Sequence, residues 1–256
     1  MRRMGYVGLA IAFLLTPVMA KSANLQGAFE AAFGQSPPMM RNANLPNIGK
    51  TDLRLEPVLM LPVGGRRFAL VVSESFDGGY ASLGDIAVAY LDHGSTGWRP
   101  VKVWYEFARS GSFGEPFAQH KVWSFNFGGT PFFAGEGELC GMGGCTRWYD
   151  LIGFTPDRPT DWGWINASGV FDPKIIGSDG SLPDSGGMIG CGGYEYSSVI
   201  SPPRNKGDLM HVTYTGWMIP GGAGQKRNNF QISTELSLTR GKMNFRPDVK
   251  LPNCGS

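Results

Sequence analysis

Histidine is scarce in this chain of 256 residues: His93, His120 and His211 are the three it has. None stands near the cysteines, although Cys140 and Cys145 have a spacing seen in some zinc knuckles. Zinc modules built from Cys and His need such clusters, so no metal is expected. The chain also lacks a His-Glu-x-x-His helix, an EF-hand loop and a Gly-x-Ser-x-Gly elbow. Zinc protease, calcium-sensor and serine hydrolase chemistry are therefore left without a motif. The run Gly141-Met142-Gly143-Gly144 follows a strand pattern but opens no helix, and without helix N-terminal amides it has little to hold a phosphate. No cofactor is expected and no catalytic residue is assigned. On motifs alone the chain reads more as a binder than as an enzyme.

Charge of one sign is missing as well. Lys and Arg number 23 against 21 Asp and Glu. Residues 1–20 read as a secretory signal peptide, with Arg2 and Arg3 as the basic start, Leu9 to Leu15 apolar and Val18-Met19-Ala20 as the cleavage site. The apolar run is well short of the roughly 20 residues a membrane span needs. Removing it leaves 21 charges of each sign, a balance that does not support non-specific nucleic-acid binding. The expected location is the periplasm or the exterior. No nucleic acid and no membrane span after cleavage are expected, and a glycan or an envelope protein is the expected partner. An oxidising compartment lets cysteines pair. Cys140 with Cys145, and Cys191 with Cys254, is the favoured pairing, though the spacing alone leaves the others open.

Helical periodicity is nearly absent. Leu25, Phe29 and Ala32 recur at helical spacing, which predicts a short helix over Asn24 to Phe33 ended by Gly34 and Pro37-Pro38. Ser36 to Lys50, with its Pro and Asn, reads as an extended linker. Residues 21–50 thus form helix and linker, and residues 51–256 a single β domain. After Lys50 no helical pattern is long enough for a parallel crossover, so antiparallel sheets are expected throughout.

What is abundant is glycine, at 38 residues, and short apolar runs between turn residues. The runs Val58 to Val63, Phe68 to Ser75, Asp85 to Leu91 and Val101 to Phe107 predict four strands, the first two joined through Gly64-Gly65. Val122 to Phe127, Phe132 to Glu138 and Trp148 to Phe154 repeat the order, with Gly128-Gly129 as the turn. Val58, Gly64, Gly65, Phe68, Glu74, Gly79, Thr96 and Trp98 each recur 64 residues later, without a gap, as Val122, Gly128, Gly129, Phe132, Glu138, Gly143, Thr160 and Trp162. A looser third copy runs from Tyr196 to Phe245, with strands at Tyr196 to Ile200, Leu209 to Thr215 and Gln231 to Thr239. A Gly-rich loop, Gly221 to Gly224, and a long loop, Asp172 to Gly193, connect these segments. The fold expected is all-β, an antiparallel repeat of about three four-stranded units. A propeller-like closure is the first choice, with a β-trefoil, prism-like or sandwich body as alternatives.

Five residues are candidates for a binding site. Glu74 and Glu138 occupy matching repeat positions beside Gly-rich loops, and Glu136 lies one alternation before Glu138 on the same face. Around a common axis these acids would converge on one rim, or serve as the paired carboxylates of a glycan hydrolase. Trp148 and Trp217 each flank a Gly-rich loop and suit stacking contacts, whereas the recurrence of Trp98 and Trp162 assigns them to packing.

Overall fold

The computed structural model describes residues 22–46, 48–79, 82–117, 121–141, 144–171, 191–201, 209–220, 226–239 and 242–252. Residues 1–20, read as a signal peptide, residues 172–190 of the expected Asp172 to Gly193 loop, residues 221–224 and Cys254 lie outside the described residues, while Cys191 to Gly193 of that expected loop belong to a strand. The expected Cys191–Cys254 bond therefore also lies outside them.

The helix stands where the periodicity placed it. α1 (Ser22–Phe33) buries Ala28 and Phe29 completely. Gly34, at φ 76°, ends it and returns its N–H to the Glu30 carbonyl at 2.8 Å, a left-handed cap that a Cβ would disfavour. The segment expected as a linker is instead an edge hairpin, β1 (Met39–Leu45) with the start of β2 (Gly49–Gly64), in register from Met39 opposite Leu55 to Leu45 opposite Gly49. The reason is alternation hidden among polar residues: Ala43 and Leu45 turn inward while Asn42 and Asn44 face water.

β3 (Arg67–Ser75), β4 (Gly84–Gly94) and β5 (Gly97–Ser110) complete a five-stranded meander in sequence order. The continuous runs of β3 and β4 are explained by burial on both faces. On one face Leu70, Val72, Ala87, Ala89 and Leu91 pack with Phe29 of α1. On the other, Ala69, Val71, Ile86, Val88 and Tyr90 pack with Phe133, Ile152 and Phe154 of the second sheet.

That second sheet has eight strands in sequence order: β6 (Val122–Phe127), β7 (Thr130–Gly141), β8 (Gly144–Phe154), β9 (Pro159–Phe171), β10 (Cys191–Ser201), β11 (Met210–Pro220), β12 (Asn228–Thr239) and β13 (Lys242–Arg246). Its inner face carries Phe132, Leu151, Ile165, Tyr196, Val212, Tyr214 and Leu236, and Val249 and Leu251 of the tail pack against it. The sheet curls so that β13 approaches β9, with Met243 Cε 3.5 Å from where a Cβ on Gly163 would stand.

The described strands are thus all antiparallel, as expected, but they do not divide into three four-stranded blades. β1 adds a fifth strand to the first group, and pairing of β9 with β10, from Tyr194 opposite Phe171 to Ser197 opposite Ser168, joins the other two groups into one sheet. Pairing satisfies backbone groups that separate blades would leave on open edges. One matching feature does recur in space. Trp98 meets Phe68 at 5.1 Å between ring centroids, and Trp162 meets Phe132 at 6.1 Å.

Candidate functional site

The densest polar constellation forms where the first sheet runs onto the second. Beyond β5 the chain turns through Gly111 at φ 74°, Phe113 at 56° and Gly114 at 79°. Ser112 and Glu115 exchange backbone hydrogen bonds of 3.1 and 2.9 Å, and Gly114 donates to Ser82 while accepting from Phe76. A Cβ on Gly111 or Gly114 would collide with the backbone of Glu115 or Phe76, so glycine is required at both. This loop is fastened against the β3–β4 connection. With Glu138 and Cys140 of β7 it borders an open cavity of about 250 Å³, lined also by Ser112, Glu115 and Phe117.

On the β7–β8 side, charges alternate along one face. Lys121 donates to Glu136 at 2.7 Å, and Arg147 lies 3.7 Å from Glu136 while donating to Glu138 from Nη2 at 2.8 Å and from Nε at 3.0 Å. Each carboxylate therefore already has a cation. The cross-strand disulfide Cys140–Cys145, the pairing favoured among those the spacing left open, closes this end of the hairpin, with Cys140 Sγ 3.3 Å from Glu138 Oε1. Glu138, Cys140 and Cys145 group closely enough to be considered as metal ligands, but the disulfide engages both sulfurs and metals require thiolate.

The opposite face of the same hairpin holds the two sheets together. Ser110 of β5 and the Trp148 indole, at 2.9 Å, both donate to Asp150. Gly137 makes this approach possible: a Cβ there would stand 2.6 Å from the Trp148 ring and 2.7 Å from Ser110 Oγ. A glycine inside a strand often marks such a close approach, and this signal was readable in the sequence between Glu136 and Glu138. Burial pushes the Asp150 carboxyl up to about 7, against the two donated hydrogen bonds that favour its ionised form.

The other expected site residues are distributed elsewhere. Glu74 is not on a shared rim. It is fully buried in the first sheet, where Arg41 donates to it at 2.8 Å and the Glu106 backbone N–H at 2.6 Å. A bulge between β4 and β5 accompanies the left-handed backbone of Glu106, at φ 50°, and Arg41 also binds the Glu106 carboxylate at 2.9 Å and covers the Tyr105 ring. Asp85, also fully buried, accepts from Arg109 at 2.9 Å. Burial raises both the Glu74 and the Asp85 carboxyls despite these cations.

Trp217 lies on β11, its indole N–H donating to Glu195 at 3.0 Å and its ring covered by the Arg227 guanidinium at 4.5 Å. Neither Trp148 nor Trp217 presents a bare ring. Of the five candidates, the structure gathers Glu136, Glu138 and Trp148 onto one hairpin and leaves Glu74 and Trp217 apart. The sequence reading missed Arg41, Glu115, Arg147 and Asp150, because cross-strand partners become neighbours only once register is set. No protein-family model, curated protein or solved structure matches this chain.

Proposed function

We propose that the protein is an exported, disulfide-stabilised binding module that takes a polar ligand, a glycan in the first instance, at the cavity between the Gly111 to Phe117 loop and the β7–β8 hairpin. The carrying observation is that Glu138, which lines that cavity, ends the charged row Lys121, Glu136, Arg147 and Glu138. Its carboxylates are held by cations in fixed positions, which suits hydrogen bonding to hydroxyl groups. Export is supported by the N-terminal pattern of residues 1–20 and by the disulfide. The Phe68–Trp98 and Phe132–Trp162 pairs support a duplicated strand unit.

A second reading, hydrolysis of a glycan by paired carboxylates, is favoured by one observation: Glu115 and Glu138 line the same cavity, and burial, followed by the Glu56 charge, raises the Glu115 carboxyl. A glycan array followed by titration calorimetry separates the two. The expected result is saturable binding without turnover, weakened at least tenfold in the doubly substituted Glu138→Gln, Arg147→Ala protein. Product release that disappears in Glu115→Gln would establish the hydrolase instead, and no binding to any polar glycan would overturn both.

A further inference from the structure

A second concavity, of about 470 Å³, lies at the hairpin turns of the first sheet, independent of the site above. Its walls come from three turns. Gly64, Arg66 and Arg67 belong to the β2–β3 turn, Asp92 to Gly97 and Arg99 to the β4–β5 turn, and Pro156 to the β8–β9 turn of the other sheet. Three arginines thus line one hollow against a single lining carboxylate.

Asp92 sets the orientation of two of them. Its Oδ1 accepts from Arg67 Nε and its Oδ2 from Arg99 Nη2, both at 3.0 Å. Arg67 is held a second time, from Nη1 to the Pro156 carbonyl at 2.8 Å, so this arginine spans both sheets. Arg66 is exposed, and its side chain has no partner among the described residues. Asp157, in the turn beyond Pro156, acts on Arg67 from outside the lining.

Structural need accounts for Arg67 but not for the other two. The Arg99 side chain is 78% exposed, and exposed pairs of this kind add little to stability. Arg66 has nothing to stabilise. Arg forks match the oxygens of phosphate, sulfate and carboxylate groups in bidentate geometry, and a cavity of this size exceeds a bare ion, falling within the range of small-molecule sites. Ser95 and Thr96 add hydroxyl donors to the wall, and His93, whose ring is tilted against Trp98 at 4.4 Å, lines it as well.

We propose that this hollow is an anion subsite for a phosphate or sulfate ester carried on a sugar-sized body, with Arg66 and Arg99 as the ligand-binding cations and Asp92 and Arg67 as the scaffold that positions them. The two sources share one chemistry, a compact tetrahedral oxyanion, and the test separates them.

Calorimetric titration of the folded protein at low ionic strength would use inorganic phosphate, inorganic sulfate, glucose 6-phosphate and glucosamine 6-sulfate as probes. Saturable binding of at least one ester is expected, tighter than that of its bare ion, with the preferred ester identifying the source. Arg66→Gln and Arg99→Gln should each weaken it about tenfold, with unchanged circular dichroism. Lys102→Gln, which removes a cation stacked on Trp104 and outside the hollow, should leave it unchanged. Absence of saturable binding, or equal weakening by all three substitutions, would overturn the subsite. Neither result bears on the cavity at Glu138, since these variants leave that site intact.

Discussion

The two sheets solve burial in different ways. The first is covered on both faces, by α1 and by the second sheet, and β4 is buried without interruption from Gly84 to Leu91. The second is filled on its inner face and turns Gln231, Ser233 and Glu235 outward between the inward Ile232, Thr234 and Leu236 of β12. An ion pair therefore has different consequences in the two places. Glu74 of the first sheet is sealed from water, whereas Glu138 of the second keeps 29% of its side chain exposed. Glu74 and Glu138, which stand 64 residues apart in similar sequence surroundings, are thus separated by environment.

The largest effect that would break this contrast concerns Arg41. Arg41→Ala would leave the buried Glu74 carboxylate without its cation, and such losses cost about 3–5 kcal/mol. Urea denaturation should show the shift, and adding Glu74→Gln should recover part of it. A loss below about 1 kcal/mol would mean that Glu74 does not carry a buried charge that depends on Arg41.

The sheet junction comes next. Asp150 titrates at about 7 in the folded protein and at about 3.9 when unfolded, so between those values the folded state binds a proton that the unfolded chain has released. Stability contributed by this group is complete at low pH and is lost as pH rises to about 7, by at most about 1.4 kcal/mol per pH unit. The raised Glu74 and Asp85 carboxyls add the same sign. Denaturation midpoints measured from pH 4 to 8 should fall, less steeply in Asp150→Asn; identical slopes would remove Asp150 from the account.

The smallest effect belongs to the second sheet. Arg147→Ala breaks a pair in which Arg147 is 41% exposed, and the expected cost is about 0–1 kcal/mol. A penalty matching that of Arg41→Ala would erase the distinction between the sheets and would make the β7–β8 row a structural element instead of a binding surface.

Much of the strand content was legible because its signals are local. Gly64-Gly65 and Gly128-Gly129 mark turns whose glycines have positive φ, and the alternation from Gln231 to Leu236 marks a half-buried strand. β1 was not legible, since an edge strand needs only Ala43 and Leu45 inward and its Asn and Pro neighbours look like a linker. The site was legible in part: Glu136, Glu138 and Trp148 stand on the hairpin that walls the cavity, but their partners Lys121, Arg147 and Asp150 gave no pattern of their own.

By itself the sequence determined the antiparallel class, the helix and the hairpin turns, which depend on residues close along the chain, and it favoured the Cys140–Cys145 bond without excluding other pairings. Only the tertiary structure decided that the strands form sheets of five and eight, that β9 pairs with β10, and that Glu74 is buried while Glu138 reaches the surface. Those outcomes depend on which faces and edges meet. That choice is governed by the total apolar area and backbone pairing satisfied across the molecule, which no local spacing records.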